Sequence, residues 1–349
     1  MIGRMVKPKG GIQTVEELRE HLQIAIELEH SVIPPYLCAL YSLEDGTNTA
    51  AAASLRDVVV EEMLHLTLAA NVLNAIGGEP DLIHPGFVPC YPSYLPHGND
   101  SITLNLAKFS REAVASFLQI EHPSAPHAPP QAHRYASIGQ FYAAIIDALE
   151  RLAKTHRDLF CGKRSRQVTP EYYYNSGGEV VEVTNLASAR EALEIIVIEG
   201  EGRMAIYDRR NPPKKESTEE LAHYYRFMQI YEGRFYRKGD TPESGPTGGP
   251  FPVDWSTGIY PMRMNPKSGD YPPTSDLWCA SNAFNITYNE LLHVLHHGLN
   301  GDPRKLLDSV PLMFRLKTQA QGLMKVPSGH YDTTAGPSFE YVKSAAAKA

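Results

Sequence analysis

Six acidic and imidazole side chains lie where the helical pattern calls for apolar ones. Over residues 14–42 the stripe Leu18, Leu22, Ala25, Val32, Tyr36 and Leu40 has helical spacing and is interrupted once, by Glu29, whereas Glu27 falls off that face. Over 51–76 the stripe runs Leu55, Val58 or Val59, Ala69, and Val72 or Leu73, and it contains Glu62 and His65, one turn apart in Glu62-Met-Leu-His65. Glu61 does not share that face. Further on, Glu201 in Glu199-Gly-Glu-Gly202 falls four residues after Val197 and three before Met204. A last segment carries Glu220-Leu-Ala-His223, with Phe227 and Ile230 on the same side. The order is Glu, Glu-x-x-His, Glu, Glu-x-x-His, the ligand set of a dinuclear carboxylate site inside a four-helix bundle.

The residue types fit that chemistry. Isolated carboxylates in an apolar core each cost several kcal/mol even after relaxation. Two divalent cations balance four such charges, and mixed oxygen and imidazole ligation suits iron, with manganese the alternative. Open coordination positions would let the pair bind and reduce dioxygen. Competing roles exist for single residues. Ser217-Thr-Glu-Glu220 is itself a capping-box pattern, and Glu199 rivals Glu201 because the register there is ambiguous. His293, His296 and His297 are spaced for a second metal site or for a solvated helix face.

The elements that must position these residues are predicted to be helices at 14–42, 51–76, 137–154, 187–207 and 217–236, with two more near 287–297 and 303–323. Thr14-Val-Glu-Glu17 reads as a capping box and Gly77-Gly78 as a helix stop. The 137–154 helix shows no acid on its apolar stripe and reads as packing. A Pro- and His-containing stretch at 79–135 reads as loop, 165–185 as a short hairpin, and 237–282 as irregular. The loop at 123–132 is expected to wall a substrate pocket. Pro34 and Pro35 remove two backbone donors one turn after Glu29. They either re-aim Glu29 or only bend the helix around the core.

Composition narrows the class. The chain has 349 residues, 42% of them hydrophobic, and a formal net charge of −7 with scattered basic residues, which argues against nucleic-acid binding. Nothing resembles a signal peptide or a membrane span, so a cytoplasmic protein is expected. Cys38, Cys90, Cys161 and Cys279 are too dispersed for a disulfide framework or a zinc site. The expected organisation is a bundle over 12–236, including an insertion at 77–186, with an extension at 237–349 packed on it.

The stretches "LEHSVIPPYLCALYSL", "VVEEMLHLTLAANVLNAIGGEP", "EGEG" and "LAHYYRF" together resemble the ferritin-like domain of the iminophenyl-pyruvate dimer synthase type, known from violacein and rebeccamycin biosynthesis. "FNITYNELLHVLHHGLNGDP" and "AGPSFEY" are similar to that family's C-terminal portion. The resemblance implies an all-α, ferritin-like four-helix bundle with a long crossover insertion and extra C-terminal helices. It marks Glu29, Glu62, His65, Glu201, Glu220 and His223 as metal positions, with Glu199 standing where the family carries a Gln. It further implies a non-haem di-iron oxidoreductase using dioxygen on a small aromatic or amino-acid-derived metabolite, in natural-product biosynthesis. The partners would be that small molecule and dioxygen, without nucleic acid or membrane, and with homo-oligomerisation left open. A ferritin-like metal-storage protein without an organic substrate is the alternative, and a scaffold with salt-bridged acids a third reading.

Overall fold

Thr14 starts the first helix, α1 (Val15–Tyr41), through the expected capping box: its hydroxyl accepts from the Glu17 N–H at 3.1 Å, and the Glu17 carboxylate accepts from the Thr14 N–H at 3.2 Å. α1 runs unbroken through Pro34 and Pro35, both buried. Pro35 cannot donate to the carbonyl of Ser31, and the buried Tyr91 hydroxyl does so instead at 2.8 Å. A side chain from the following insertion thus replaces one of the two missing backbone donors.

The computed structural model describes residues 11–96, 102–123, 135, 137–173, 177–200 and 221–342. Among them, α2 (Thr49–Ala75) lies along α1 and stops where Gly77 takes φ +73° and the Gly78 N–H bonds back to Leu73 O at 2.9 Å. A Cβ at Gly78 would sit 2.2 Å from Leu73 Cδ1 and 3.1 Å from its carbonyl oxygen, so a larger residue would have to displace Leu73 from this close turn. The remaining helices are α3 (Arg111–Ile120), α4 (Ile138–Thr155), α5 (Leu186–Gly200), α6 (His223–Glu232), α7 (Asp276–Leu299) and α8 (Leu306–Met324). A two-residue antiparallel pair, β1 (Ser93–Tyr94) with β2 (Thr103–Leu104), is the strand structure among the described residues.

Around the α1–α2 pair the other helices fall into two halves. α4 packs on α1 and α5, and α5 packs on α2, which closes a four-helix ring. α3 packs on α6, α6 packs on α2, and Tyr36 of α1 meets Phe117 and Phe227 at ring centroid distances of 4.7 and 5.2 Å. Burying these three aromatic rings contributes on the order of several kcal/mol.

Three expectations change. α3 falls inside a stretch read as loop, although Ser110 caps it through the Ala113 N–H at 3.1 Å and its apolar face carries Val114, Phe117 and Ile120. α7 begins at Asp276, within the stretch read as irregular to 282, capped by Ser275. The 165–185 segment forms no hairpin among its described residues. Asn71 holds the Val168 and Val181 carbonyls at 2.7 and 2.9 Å, and Gln167 bonds both backbone groups of Val183. Side chains satisfy this backbone, so strand pairing is not needed.

Helices α7 and α8 pack on each other and reach α2 and α1. One link is buried: His30 Nε2 lies 2.5 Å from the Tyr288 hydroxyl, with the imidazole stacked on Phe87 at 4.3 Å. Burial pushes the His30 pKa down to about 3 from an ordinary 6.5. The unfolded chain therefore takes up a proton below pH 6.5 that the folded chain refuses, and stability is lost as pH falls. This one residue accounts for about 2 kcal/mol between pH 7 and pH 5. Urea midpoints across that range should fall less steeply for His30→Gln than for the wild type; equal slopes would contradict the assignment.

Candidate metal centre

The two halves of the bundle meet at a cluster of buried acids and imidazoles. α1 supplies Glu29, and α2 supplies Glu61, Glu62 and His65. Glu121 is the C-cap of α3, Glu199 lies at the end of α5, and His223 is the first residue of α6. Glu29, Glu62, His65, Glu121 and His223 are each no more than 4% exposed. Glu62 sits at the centre: its Oε2 is 3.5 Å from His65 Nδ1 and its Oε1 is 3.0 Å from His223 Nδ1. The two imidazoles are nearly parallel, 24° apart, with centroids at 5.3 Å. Glu29 Oε2 is 3.8 Å from His65 Nδ1, and Glu121 Oε2 is 3.7 Å from His223 Nδ1.

The outward nitrogens of both rings are held by further acids. His65 Nε2 pairs with Glu199 at 3.1 Å, and His223 Nε2 pairs with Glu61 at 2.9 Å. Glu61 is in turn held by the buried guanidinium of Arg226 at 2.7 Å. Such carboxylate–imidazole pairs fix ring orientation and leave the other nitrogen pointing inward. Tyr142 of α4 donates to Glu29 Oε1 and Tyr36 of α1 donates to Glu121 Oε1. A small cavity of about 10 Å³, close to the size of one water, is lined among others by Glu29, Glu62, His65, Glu121, Tyr142 and Gly200.

Electrostatics show how hard this cluster is to bury. Burial pushes Glu29 up to about 7, with the nearby Glu62 charge adding to the rise and His65 opposing it. Burial alone would lower both histidines, but the carboxylates around them raise His65 and His223 well above 6.5. Burial would likewise raise Glu61 and Glu62, yet Arg226 and His223 hold Glu61, and His223 holds Glu62, below the usual carboxylate value.

Of the residues expected from sequence, Glu29, Glu62, His65 and His223 are brought together. Glu62, His65 and His223 offer ligand atoms within 4.8 Å of one another. Glu201 and Glu220 lie outside the described residues, as does most of the expected pocket wall at 123–132. The helix that carries His223 begins at that residue, behind an extended Ala222 (ψ 156°), and the start expected at 217 lies outside the described residues. Glu61 is not a solvent-facing residue: α6 covers that flank of α2, and Glu61 is buried against His223 and Arg226. The 137–154 helix does more than pack, since its Tyr142 reaches Glu29. Glu121 was missed. Its signal was present, because Val114, Phe117 and Glu121 share one helical stripe behind Ser110. His296 and His297 lie side by side on α7, His297 exposed and His296 bonded near Asn300, and they form no ligand triplet among the described residues.

The family profile described as Ferritin-like matches residues 22–232. The chain belongs to the ferritin-like family. This ferritin-like chain is 27% identical over 342 residues to the dichlorochromopyrrolate synthase of Lentzea aerocolonigenes, an alignment covering 85% of the chain and 30% of that protein. The chain thus spans under a third of the length of the curated relative it matches. It also superposes on the crystal structure of a ferritin-like protein from Caulobacter vibrioides with a TM-score of 0.63 at 23% identity, covering 94% of this chain and 99% of that one. The all-α, ferritin-like bundle is therefore the fold. No helix among the described residues is long and apolar enough to cross a membrane.

Arg226 is the buried cation of the described cluster whose charge does not depend on pH. Replacing it by Met leaves Glu61 with the His223 imidazole but without its fixed cation, at a cost on the order of 2–3 kcal/mol. Arg226→Met should lower the melting temperature strongly, and Glu61→Gln in the same chain should recover part of the loss; a neutral single variant would refute the pairing.

Proposed function

We propose that this ferritin-like chain is a dinuclear-metal oxidoreductase, with iron the favoured metal, that uses dioxygen on a small aromatic or amino-acid-derived metabolite. The supporting observation is that His65 and His223 direct their inward nitrogens at the two oxygens of one buried carboxylate, Glu62. Two features of the cluster fit a pair of divalent ions. His223 Nδ1 is buried and makes no well-aligned hydrogen bond although Glu62 Oε1 is only 3.0 Å away, so an ion that displaces the ring proton would find its lone pair directed inward. Among the described residues of the cluster, the acids Glu29, Glu61, Glu62, Glu121 and Glu199 are set against one fixed cation, Arg226, which pairs with Glu61. Once ions displace the imidazole protons, that leaves four negative charges, which two divalent cations cancel. The oxygen and imidazole donors suit iron or manganese.

Glu29, Glu62, His65 and His223 would hold the ions, with Glu201 and Glu220 as further candidates from the sequence pattern. Bound iron would supply the binding and reduction of dioxygen. The chain's own residues prepare the place. Glu199 and Glu61 hold the outer ring nitrogens, so the imidazoles stay neutral donors inward once the ions are present. Leu28, Val32, Ile138, Ile196 and Val197 line the cavity and exclude bulk water. Tyr142 and Tyr36 fix the outer carboxylates before any ligand arrives. The similarity to a dichlorochromopyrrolate synthase supports the choice of a natural-product substrate class.

Purified chain loaded anaerobically with ferrous iron should hold two ions and consume dioxygen, and Glu62→Ala should lose most of both. Full metal binding and oxygen uptake by Glu62→Ala would end the proposal. Uptake of iron far beyond two ions per chain, without an organic substrate, would favour storage.

A further inference from the structure

Resting on the dinuclear reading above, we propose that Glu121 is a metal ligand supplied by the insertion between α2 and α4, and that Tyr36 and Tyr142 are positioning residues, each occupying one carboxylate oxygen, of Glu121 and Glu29 respectively. Four observations carry this. Glu121 ends α3 in a non-helical conformation (φ −87°, ψ 10°), and its carboxylate turns inward at 2% exposure, although an uncommitted acid at a helix end would face water. Its Oε1 accepts from the Tyr36 hydroxyl, while Oε2 lies 3.7 Å from His223 Nδ1. That nitrogen is fully buried and makes no well-aligned hydrogen bond, although carboxylate oxygens of Glu62 and Glu121 lie 3.0 and 3.7 Å away. An orphaned buried polar atom costs about 1–3 kcal/mol, so its persistence beside available acceptors points to an ion that the nitrogen and the oxygens share.

The second half of the centre repeats the arrangement. Around Glu62, the trio Glu29, Tyr142 and His65 corresponds to Glu121, Tyr36 and His223: in each a tyrosine takes Oε1, and Oε2 faces the Nδ1 of the histidine. Two glutamates on different elements, each with one oxygen capped by a phenol, leave one free oxygen apiece for an ion. The Tyr36 ring is fixed edge-on to Phe117 of α3, so the helix that brings Glu121 also orients the phenol that constrains it. The match is independent of the Glu-x-x-His pattern, because neither Glu121 nor the tyrosines belong to it.

The test uses cobalt(II) as the probe, titrated into metal-free protein and followed by visible absorption and by metal analysis after desalting. The wild type should bind two ions. Glu121→Gln should keep one and bind the other at least about 100-fold more weakly. Tyr36→Phe and Tyr142→Phe should keep both ions with one weakened about 10-fold and with altered absorption bands, as expected for an outer partner of a ligand. Far-ultraviolet circular dichroism of the metal-free variants checks folding. Should Glu121→Gln fail to fold, Glu121→Asp keeps the charge, shortens the reach, and should lose the same site. Two ions at wild-type affinity in the Glu121 variant that folds would overturn the ligand, and spectra unchanged in both Phe variants would overturn the positioning role. A wild-type chain that binds no ions would overturn the dinuclear reading itself.

Discussion

A carboxylate removed from water must be given a positive partner, a hydrogen bond or a proton, and the middle of this bundle buries several within a few ångströms of one another. The described structure supplies partial answers: Arg226 for Glu61, phenols for Glu29 and Glu121, and imidazoles for Glu62 and Glu199. Each answer constrains a helix. α6 must begin at His223, α3 must end at Glu121, and α4 must present Tyr142 toward α1. The placement of the elements around α1 and α2 is thus tied to one charged cluster as well as to apolar packing.

The ways in which the chain compensates for local disruption follow the same logic. Two prolines in α1 free backbone acceptors on a buried stretch of the helix, and Tyr91 reaches in to satisfy one. On α2, Asn71 and Asn74 hold carbonyls of the 166–181 segment and of Leu299, anchoring the long insertion and the end of α7 to the same helix. Buried amides used in this way specify geometry because an unsatisfied one costs more than a satisfied one gains. Polar groups, not sheet or extra helix, hold the insertion in place there.

The two halves of the bundle also explain why the site is enclosed. With α4 and α5 on one side and α3 and α6 on the other, both supplied partly by the insertion, the cavity is walled by apolar residues from α1, α4 and α5. A low-dielectric wall strengthens every charge interaction within it. It raises the cost of leaving His223 Nδ1 without a partner, and it is the setting in which a bound cation gains most from fixed donors.

The order of Glu29, Glu62, His65 and His223 along the chain was legible from sequence, because an acid on an apolar helical stripe stands out against a simple period. The capping box at Thr14 and the stop at Gly77-Gly78 were legible too, since both act within a few residues. Glu121 was hidden by a Pro-rich neighbourhood although its stripe was regular, and Glu61, off the stripe of Glu62, was given no role because helical periodicity assumes one buried face where α6 covers a second. Tyr142, Tyr36 and Arg226 could be given partners only in three dimensions: their partners lie 113, 85 and 165 residues away, and no local pattern encodes a contact at that separation. Sequence alone determined that α1 and α2 carry acids inward at Glu29 and Glu62. Tertiary structure decided which of those acids face one another, because burial and pairing depend on what covers each helix, and that is set by the whole chain.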